Sequence, residues 1–241
     1  MTDKSACSIQ GGIIAAGHGT RLRADGYRIS KPMVPLAGRP LIELALDRFR
    51  AAGIRRLTII LNESSQDCRE WLRTHAADFE LELIVRTTPS SYASFQVVAN
   101  RLAPGPAAIT TIDAVMPISD FQFFVQSAMG FARSSVALGL TTHVDDEDPL
   151  WATFDAGDGQ IRQLGGKAGT HVTAGLYWLP AKRPPVPATG FARLREYLGW
   201  LVAEHQPVCG IVLPQVFDID RRRDIAAAEA AGISLVRGHC D

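Results

Sequence analysis

The chain has 241 residues, 46% of them hydrophobic and 21% charged, and its 25 basic and 25 acidic side chains give a formal charge of zero. Such a make-up buries a substantial core and fits one globular domain, while the balanced charge excludes the broad basic footprint of a nucleic-acid or anionic-membrane binder and leaves a small ligand as the expected partner. A polar start from Met1 to Gln10, no apolar run approaching the roughly 20 residues of a membrane span, and four scattered cysteines (Cys7, Cys68, Cys209, Cys240) without C-x-x-C spacing point to a reduced, cytoplasmic protein with neither zinc nor disulfides.

In chain order, the apolar periodicity predicts a strand over Ile9 to Ala15, a glycine-rich loop, and a helix over Arg39 to Asp47 that closes near Gly53. A strand at Arg56 to Leu61, a helix over Ser64 to Ala76, a strand at Leu81 to Val85, a helix over Tyr92 to Leu102 and a buried strand at Ala107 to Ile112 follow. This alternation implies an α/β fold with a three-layer, mostly parallel wound sheet, because parallel neighbours need crossovers. Ligands of such sheets bind at the carboxyl ends of the strands. Past Ser119 the pattern changes to strands at Ser134 to Leu140, Leu150 to Asp155, Gln160 to Leu164 and His171 to Leu179. The turn Ala156-Gly157-Asp158-Gly159 marks a hairpin, so a small antiparallel extension and a lid are expected here. A proline-rich loop from Pro180 to Pro187, a helix over Phe191 to Ala203 and a helical run from Arg223 to Glu229 close the chain.

The loop after the first strand carries the strongest chemical signal. Ala15-Ala16-Gly17-His18-Gly19-Thr20-Arg21 leaves an apolar run through two glycines, whose positive φ lets backbone N–H groups turn toward an anion. Arg21 adds a planar fork of donors suited to phosphate oxygens, and Lys31, ahead of Pro32, adds a compact charge on a flexible stem. The dinucleotide fingerprint fails because Leu22 stands at its third glycine, and the P-loop fails because Ala168 follows Gly166-Lys167 where Ser or Thr is required. A glycine turn flanked by two solvated cations is the plain alternative.

The stretch from Ala15 to Leu22, followed by Ser30-Lys31-Pro32-Met33-Val34-Pro35-Leu36-Ala37-Gly38-Arg39-Pro40-Leu41-Ile42, resembles the signature of the sugar-phosphate nucleotidyltransferases (NDP-sugar pyrophosphorylases, MobA-like NTP transferases). The resemblance implies one Rossmann-like domain over 1–241, with a nucleotide-binding half over 1–118 and an acceptor-binding half with a closing helix over 119–241. It also implies that a nucleoside triphosphate and a sugar 1-phosphate are condensed with Mg2+ to an NDP-sugar and pyrophosphate. Arg21 would steady the leaving pyrophosphate and Lys31 the transferred phosphate, with Ala15, Ala16, Gly17, His18, Gly19 and Thr20 cradling the nucleotide. A phosphate monoester is already nucleophilic at neutral pH, so no general base is needed.

Oxygen ligands for the cation come from two places. Asp113 follows the strand Ala107 to Ile112 at the expected ligand edge, and Asp218 in Val216-Phe217-Asp218-Ile219-Asp220 resembles the family's second metal ligand. Read from the residues alone, Asp113 could equally be a turn former and Asp220 a helix cap; the resemblance favours Asp218 over Asp220. Ser90 and Ser91 sit where relatives hold base and sugar, or they start a helix as caps. Thr173 and Gly175 in Thr173-Ala174-Gly175-Leu176-Tyr177 resemble a sugar-contacting Asn-Ala-Gly-Ile-Tyr segment, with Thr173 replacing Asn. Lys167 stands near the place of a phosphate-binding lysine, against the reading of a surface lysine. The acidic run Asp145-Asp146-Glu147-Asp148 reads as a solvated loop. A non-sugar phosphorylated alcohol (phosphocholine, a polyol phosphate) as acceptor, a non-catalytic nucleotide-sugar binder, and a homo-oligomer all stay open.

Overall fold

The computed structural model describes residues 8–144, 148–187 and 190–232, so Cys7, Cys240, Asp145, Asp146 and Glu147 lie outside the described residues. The first apolar run forms β1 (Gln10–Ala15), buried along its whole length. Short helix α1 (Thr20–Ala24) and a 3-10 turn at Lys31–Met33 lead to a two-residue ribbon of β2 (Pro35–Leu36) and β3 (Arg39–Pro40). Arg39 and Pro40, expected inside a helix, belong to this ribbon instead. Ala37 (φ 50°) and Gly38 (φ 77°) make a tight two-residue turn with both φ positive, which folds the chain back as a hairpin before the helix begins.

Helix α2 (Leu41–Ala51) is followed by β4 (Arg56–Leu61), α3 (Gln66–His75), β5 (Glu80–Val85), α4 (Ser91–Arg101), β6 (Ala107–Thr111) and β7 (Ala114–Val115). Next comes α5 (Ile118–Met129), a helix where no element is expected from the sequence. Its buried residues Phe121, Phe124, Val125 and Ala128 follow the i, i+3, i+4, i+7 spacing of a one-faced helix, so the signal was present. The chain continues through β8 (Val136–Thr141), β9 (Trp151–Phe154), β10 (Ile161–Leu164), β11 (His171–Leu179), α6 (Leu194–Ala203), β12 (Val208–Val212), β13 (Phe217–Asp218) and α7 (Arg222–Ala230).

Nine of these strands make one sheet. β5, β4, β1 and β6 are mutually parallel and joined by helical crossovers, and β11 joins β6 antiparallel. β11 also pairs antiparallel with β8 and β9, β12 runs parallel to β8, and β10 folds back on β9 across the predicted hairpin. Alternating side chains of β1 serve opposite faces: Ile13 and Ala15 join the core under α2, α3, α5 and α7, while Ile14 joins the core under α4 and α6. Within the first of these, Phe49 of α2 meets Phe121 of α5 edge to face at 4.9 Å between ring centres, locking the two helices together.

Two devices aim the sheet's ligand edge. The carboxyl ends of β1, β4 and β6 coincide, and the buried Asn62, just past β4, donates its side-chain amide to the Ala16 carbonyl at 3.1 Å, tying the loop after β1 to the sheet. On β11 the register against β8 shifts between Thr173 and Tyr177, around Gly175 at φ 64°. A Cβ at Gly175 would meet Thr111 Oγ1 at 2.5 Å and the Ala114 Cβ at 2.8 Å, so only glycine lets β11 pass this close to the end of β6.

Candidate active site

A cleft of about 530 Å³ opens at this edge, lined by Arg21, Asp113, Asp218 and Asp220 at one end and by Ser91, Asp148, Arg193 and Arg195 at the other. Lys31, in the 3-10 turn, is 7% exposed, and its Nζ donates to Asp113 Oδ2 at 2.6 Å and to Asp220 Oδ1. Arg21 Nη1 donates to Asp220 Oδ2 at 2.6 Å. The two cations of the loop motif thus meet two carboxylates that lie far from them in sequence. Burial alone would lower the Lys31 pKa, but the charges of Asp113, Asp220 and Asp218 overcome it and hold the ammonium above its ordinary value. Burial pushes Asp113 the other way, and Lys31 with the Thr111 hydroxyl holds its carboxyl below the usual carboxylate range.

Of the two predicted flexible glycines, Gly19 alone takes positive φ (59°), capping the start of α1. Its Cα packs so closely on Lys31 that a Cβ would lie 3.1 Å from the lysine Cβ, which couples loop and lysine. Gly17, His18 and Thr20 are exposed beside it, and Ala15 and Ala16 are buried beneath. Ser30, just before Lys31, donates its backbone N–H to Asp67 Oδ2 at 2.9 Å, fixing the turn from the side of α3.

Asp113 and Asp218 are brought together by a short antiparallel ribbon in which Ala114 of β7 pairs with Asp218 of β13, while the Ile219 N–H donates to the Asp113 carbonyl at 3.1 Å. Asp220 is held by Asp224, whose Oδ2 accepts from the backbone N–H groups of Asp220 (2.9 Å) and Arg221 (2.6 Å) at the start of α7. The result is one carboxylate oxygen each from Asp113, Asp218 and Asp220 within 4.8 Å of one another. Three hard anionic oxygens at this spacing fit a divalent cation of the Mg2+ type. Asp220, placed second to Asp218 from sequence, stands in the cluster beside it, and it is Asp220 that touches both Lys31 and Arg21.

The far end is built differently. Ser91 lines the cleft and its Oγ accepts from the Leu194 N–H at 3.0 Å, whereas Ser90 Oγ accepts from the Ala93 N–H at 3.1 Å as the cap of α4. Thr173 and Gly175 line the cleft; Lys167 is exposed and is not among the lining residues. The cleft is lined here instead by Arg193 and Arg195, to which no sequence signal points, and by Tyr177, the last residue of the Thr173–Tyr177 segment. Arg195 Nη1 donates to Asp148 Oδ2 at 2.8 Å, and Arg193 stands 3.7 Å from the same carboxylate. Tyr177 is 8% exposed and its hydroxyl makes no hydrogen bond among the described residues. Burial raises its pKa, Asp113 and Asp218 raise it further, and Arg195 offsets part of this, which places the hydroxyl within electrostatic reach of both ends. The phenol therefore stays protonated at neutral pH and can donate a hydrogen bond.

The profile of a family described as MobA-like NTP transferase domain matches residues 11–155. Over 131 residues the chain is 29% identical to a glucose-1-phosphate thymidylyltransferase from an Actinoplanes species, covering 53% of this chain and 43% of the relative. A 60-residue stretch is 38% identical to the bifunctional protein GlmU of Symbiobacterium thermophilum, covering 25% of this chain and 12% of that protein. The matches to these curated relatives thus span less than half of their length. In three dimensions the chain resembles the inositol-1-phosphate CTP transferase from T. maritima with a TM-score of 0.80 at 16% identity, over 98% of this chain and 99% of the other. Among the described residues no helix is long and apolar enough to cross a membrane.

Proposed function

We propose, from the premise that the chain belongs to the MobA-like NTP transferase family, that it is a magnesium-dependent nucleotidyltransferase joining a nucleoside triphosphate to a phosphorylated sugar and releasing pyrophosphate. The observation that carries the reading is the contact of Lys31 and Arg21 with the carboxylate cluster of Asp113, Asp218 and Asp220 at the mouth of the cleft. Mg2+ bound by these carboxylates would neutralise charge on the transferred phosphate.

The chain's own residues supply the rest. The cluster pairs three carboxylates with two cations, a net excess of one negative charge. With a divalent ion held by Asp113, Asp218 and Asp220, Lys31 and Arg21 would no longer be needed to offset these carboxylates and could turn toward the triphosphate, Arg21 to the departing pyrophosphate and Lys31 to the transferred phosphate. Tyr177 and Arg195 present two donors to the acceptor's phosphate, whose own charge makes it the nucleophile for in-line displacement. Arg195 and Tyr177 take the role that the resemblance gives to Lys167.

A second reading keeps the reaction and replaces the sugar with another phosphorylated alcohol such as a polyol phosphate. It is supported by Thr173 at the position of the sugar-contacting Asn and by the ionic end of Arg193, Arg195 and Asp148. The test is a matrix of four nucleoside triphosphates against phosphorylated sugars and polyols with Mg2+, reading pyrophosphate. Release with a sugar phosphate supports the first reading and release with a polyol phosphate the second. Binding of a nucleotide-sugar without turnover of any pair would identify a non-catalytic binder and overturn both.

A further inference from the structure

Beneath the cleft, outside everything assigned above, lies a charged group in the core. Arg48 of α2 is 1% exposed, and of its three guanidinium nitrogens only Nη2 has a partner: it donates to the Ala114 carbonyl at 2.9 Å. Its Nε and Nη1 are buried without a hydrogen-bond partner among the described residues. The neighbouring Asp47 is engaged by Arg39 and by Arg50 at 2.5 Å, on the other side of the helix turn. Burial lowers the Arg48 pKa to about 10, with the charge of Asp47 offsetting a part, so the side chain remains cationic at neutral pH in a place where an apolar residue would be less costly.

The single bond it makes explains its retention. Ala114 directly follows Asp113, pairs with Asp218 across the β7–β13 ribbon, and adjoins the Asp113 carbonyl that accepts from Ile219. The ribbon is two residues long on each strand, too short to hold itself, and its ladder alone cannot fix the spacing of the carboxylates it carries. We propose that Arg48 is a positioning residue: anchored in α2 and donating to the Ala114 carbonyl, it pins the ribbon that sets Asp113 and Asp218 for a divalent cation. It touches neither cation nor substrate and acts through the backbone between them. The cation-binding half of this inference rests on the proposed function; the pinning of the ribbon does not.

The test uses the full chain with Arg48→Met, which removes the donors and keeps most of the volume. Amide hydrogen exchange without metal is expected to accelerate selectively at 114–115 and 217–219 while β1 and β4 exchange as in the unmodified protein. Mn2+ affinity, read by electron paramagnetic resonance without nucleotide, is expected to weaken by about 10- to 100-fold, as for other groups that orient metal ligands. Should Arg48→Met not fold, Arg48→Gln, too short to reach the Ala114 carbonyl, is read in the same way. Acceleration spread evenly over the molecule, or ribbon exchange unchanged, overturns the inference whatever the metal does. Failure of the unmodified protein to bind Mn2+ would instead overturn the metal site itself, leaving the exchange result to judge the pin.

Discussion

The two ends of the cleft are built on different terms. At the cation end, Arg21 of α1, Lys31 of the 3-10 turn, and Asp113 and Asp220 meet at one edge of the sheet in mutual ion pairs, braced from behind by Asp67, Asp224 and the Asp113–Ile219 backbone bond. At the acceptor end, the Arg193 and Asp148 side chains are about two-thirds exposed and meet across a loop and the start of α6. The cation end is thus cross-braced by its own ion pairs, while the other end is exposed and held by fewer contacts, the kind of loop-borne surface that tolerates change.

Experiments that break the cation end should therefore have the largest effects. Chelation of divalent ions is expected to abolish pyrophosphate release, and residual turnover at the original rate in excess chelator would contradict the metal assignment. Lys31→Met or Arg21→Ala should each lower turnover on the order of 10²-fold or more, as loss of a preorganised donor does elsewhere; steady-state rates with saturating substrates check it. Lys31→Met carries a second signature, because it leaves Asp113 and Asp220 to repel one another. Its melting temperature without metal should fall and be recovered largely by Mg2+, whereas a drop that Mg2+ does not restore would mean the lysine serves packing alone.

At the acceptor end the effects should be smaller and confined to one substrate. Tyr177→Phe removes a hydroxyl with no hydrogen-bond partner among the described residues, so stability should hold while the KM for the phosphorylated acceptor rises about 10-fold, in the range of one bond to a charged group. An equal rise in the KM for the triphosphate would place Tyr177 elsewhere in the reaction. Lys167→Ala sharpens the contrast from the other side: as an exposed side chain outside the cleft it should change acceptor KM by less than about two-fold, like other surface substitutions.

The smallest expected effect is that of pH. Asp113 has its folded pKa lowered, so the stability it contributes is present above the ordinary carboxylate value near 3.9 and is lost as pH falls through the lower folded value. Lys31 has its folded pKa raised, so its contribution is complete below the ordinary lysine value near 10.4 and is lost as pH rises through the higher folded one. The pair should add no slope to melting temperature between roughly pH 5 and 9, and a slope in that window that disappears in Lys31→Met would show that one of them is not ionised as described.

The same division separates what the sequence disclosed from what it did not. Strands such as Arg56–Leu61 and His171–Leu179 were legible to the residue because they are apolar runs bounded by turn formers. The loop motif placed Arg21 and Lys31 together because its residues are nearly contiguous, and the resemblance linked them to Asp113 and Asp218. Asp220 was harder, since its position depends on the cap from Asp224, a tertiary consequence of where α7 begins. Helix α5 is hard to read from sequence although its buried face repeats with helical spacing, because three phenylalanines, one of them the exposed Phe123, blur that face. Arg193 and Arg195 carry no local pattern, and Tyr177 is legible only as the last residue of the segment that resembles Asn-Ala-Gly-Ile-Tyr. They reach the cleft only because the bulge at Gly175 and the start of α6 aim them there, and Arg48 looks in sequence like any helical arginine.

The central claim is that Asp113, Asp218 and Asp220 hold a divalent cation beside the phosphates that Lys31 and Arg21 grip. A crystal grown with Mn2+ and a non-hydrolysable nucleoside triphosphate analogue tests it directly through the anomalous signal. The expected result is a peak coordinated by Asp113 and at least one of Asp218 and Asp220, with Lys31 turned from the carboxylates to the phosphates. A peak on other residues, with the Lys31–Asp113 contact intact and the triphosphate elsewhere, would contradict the account.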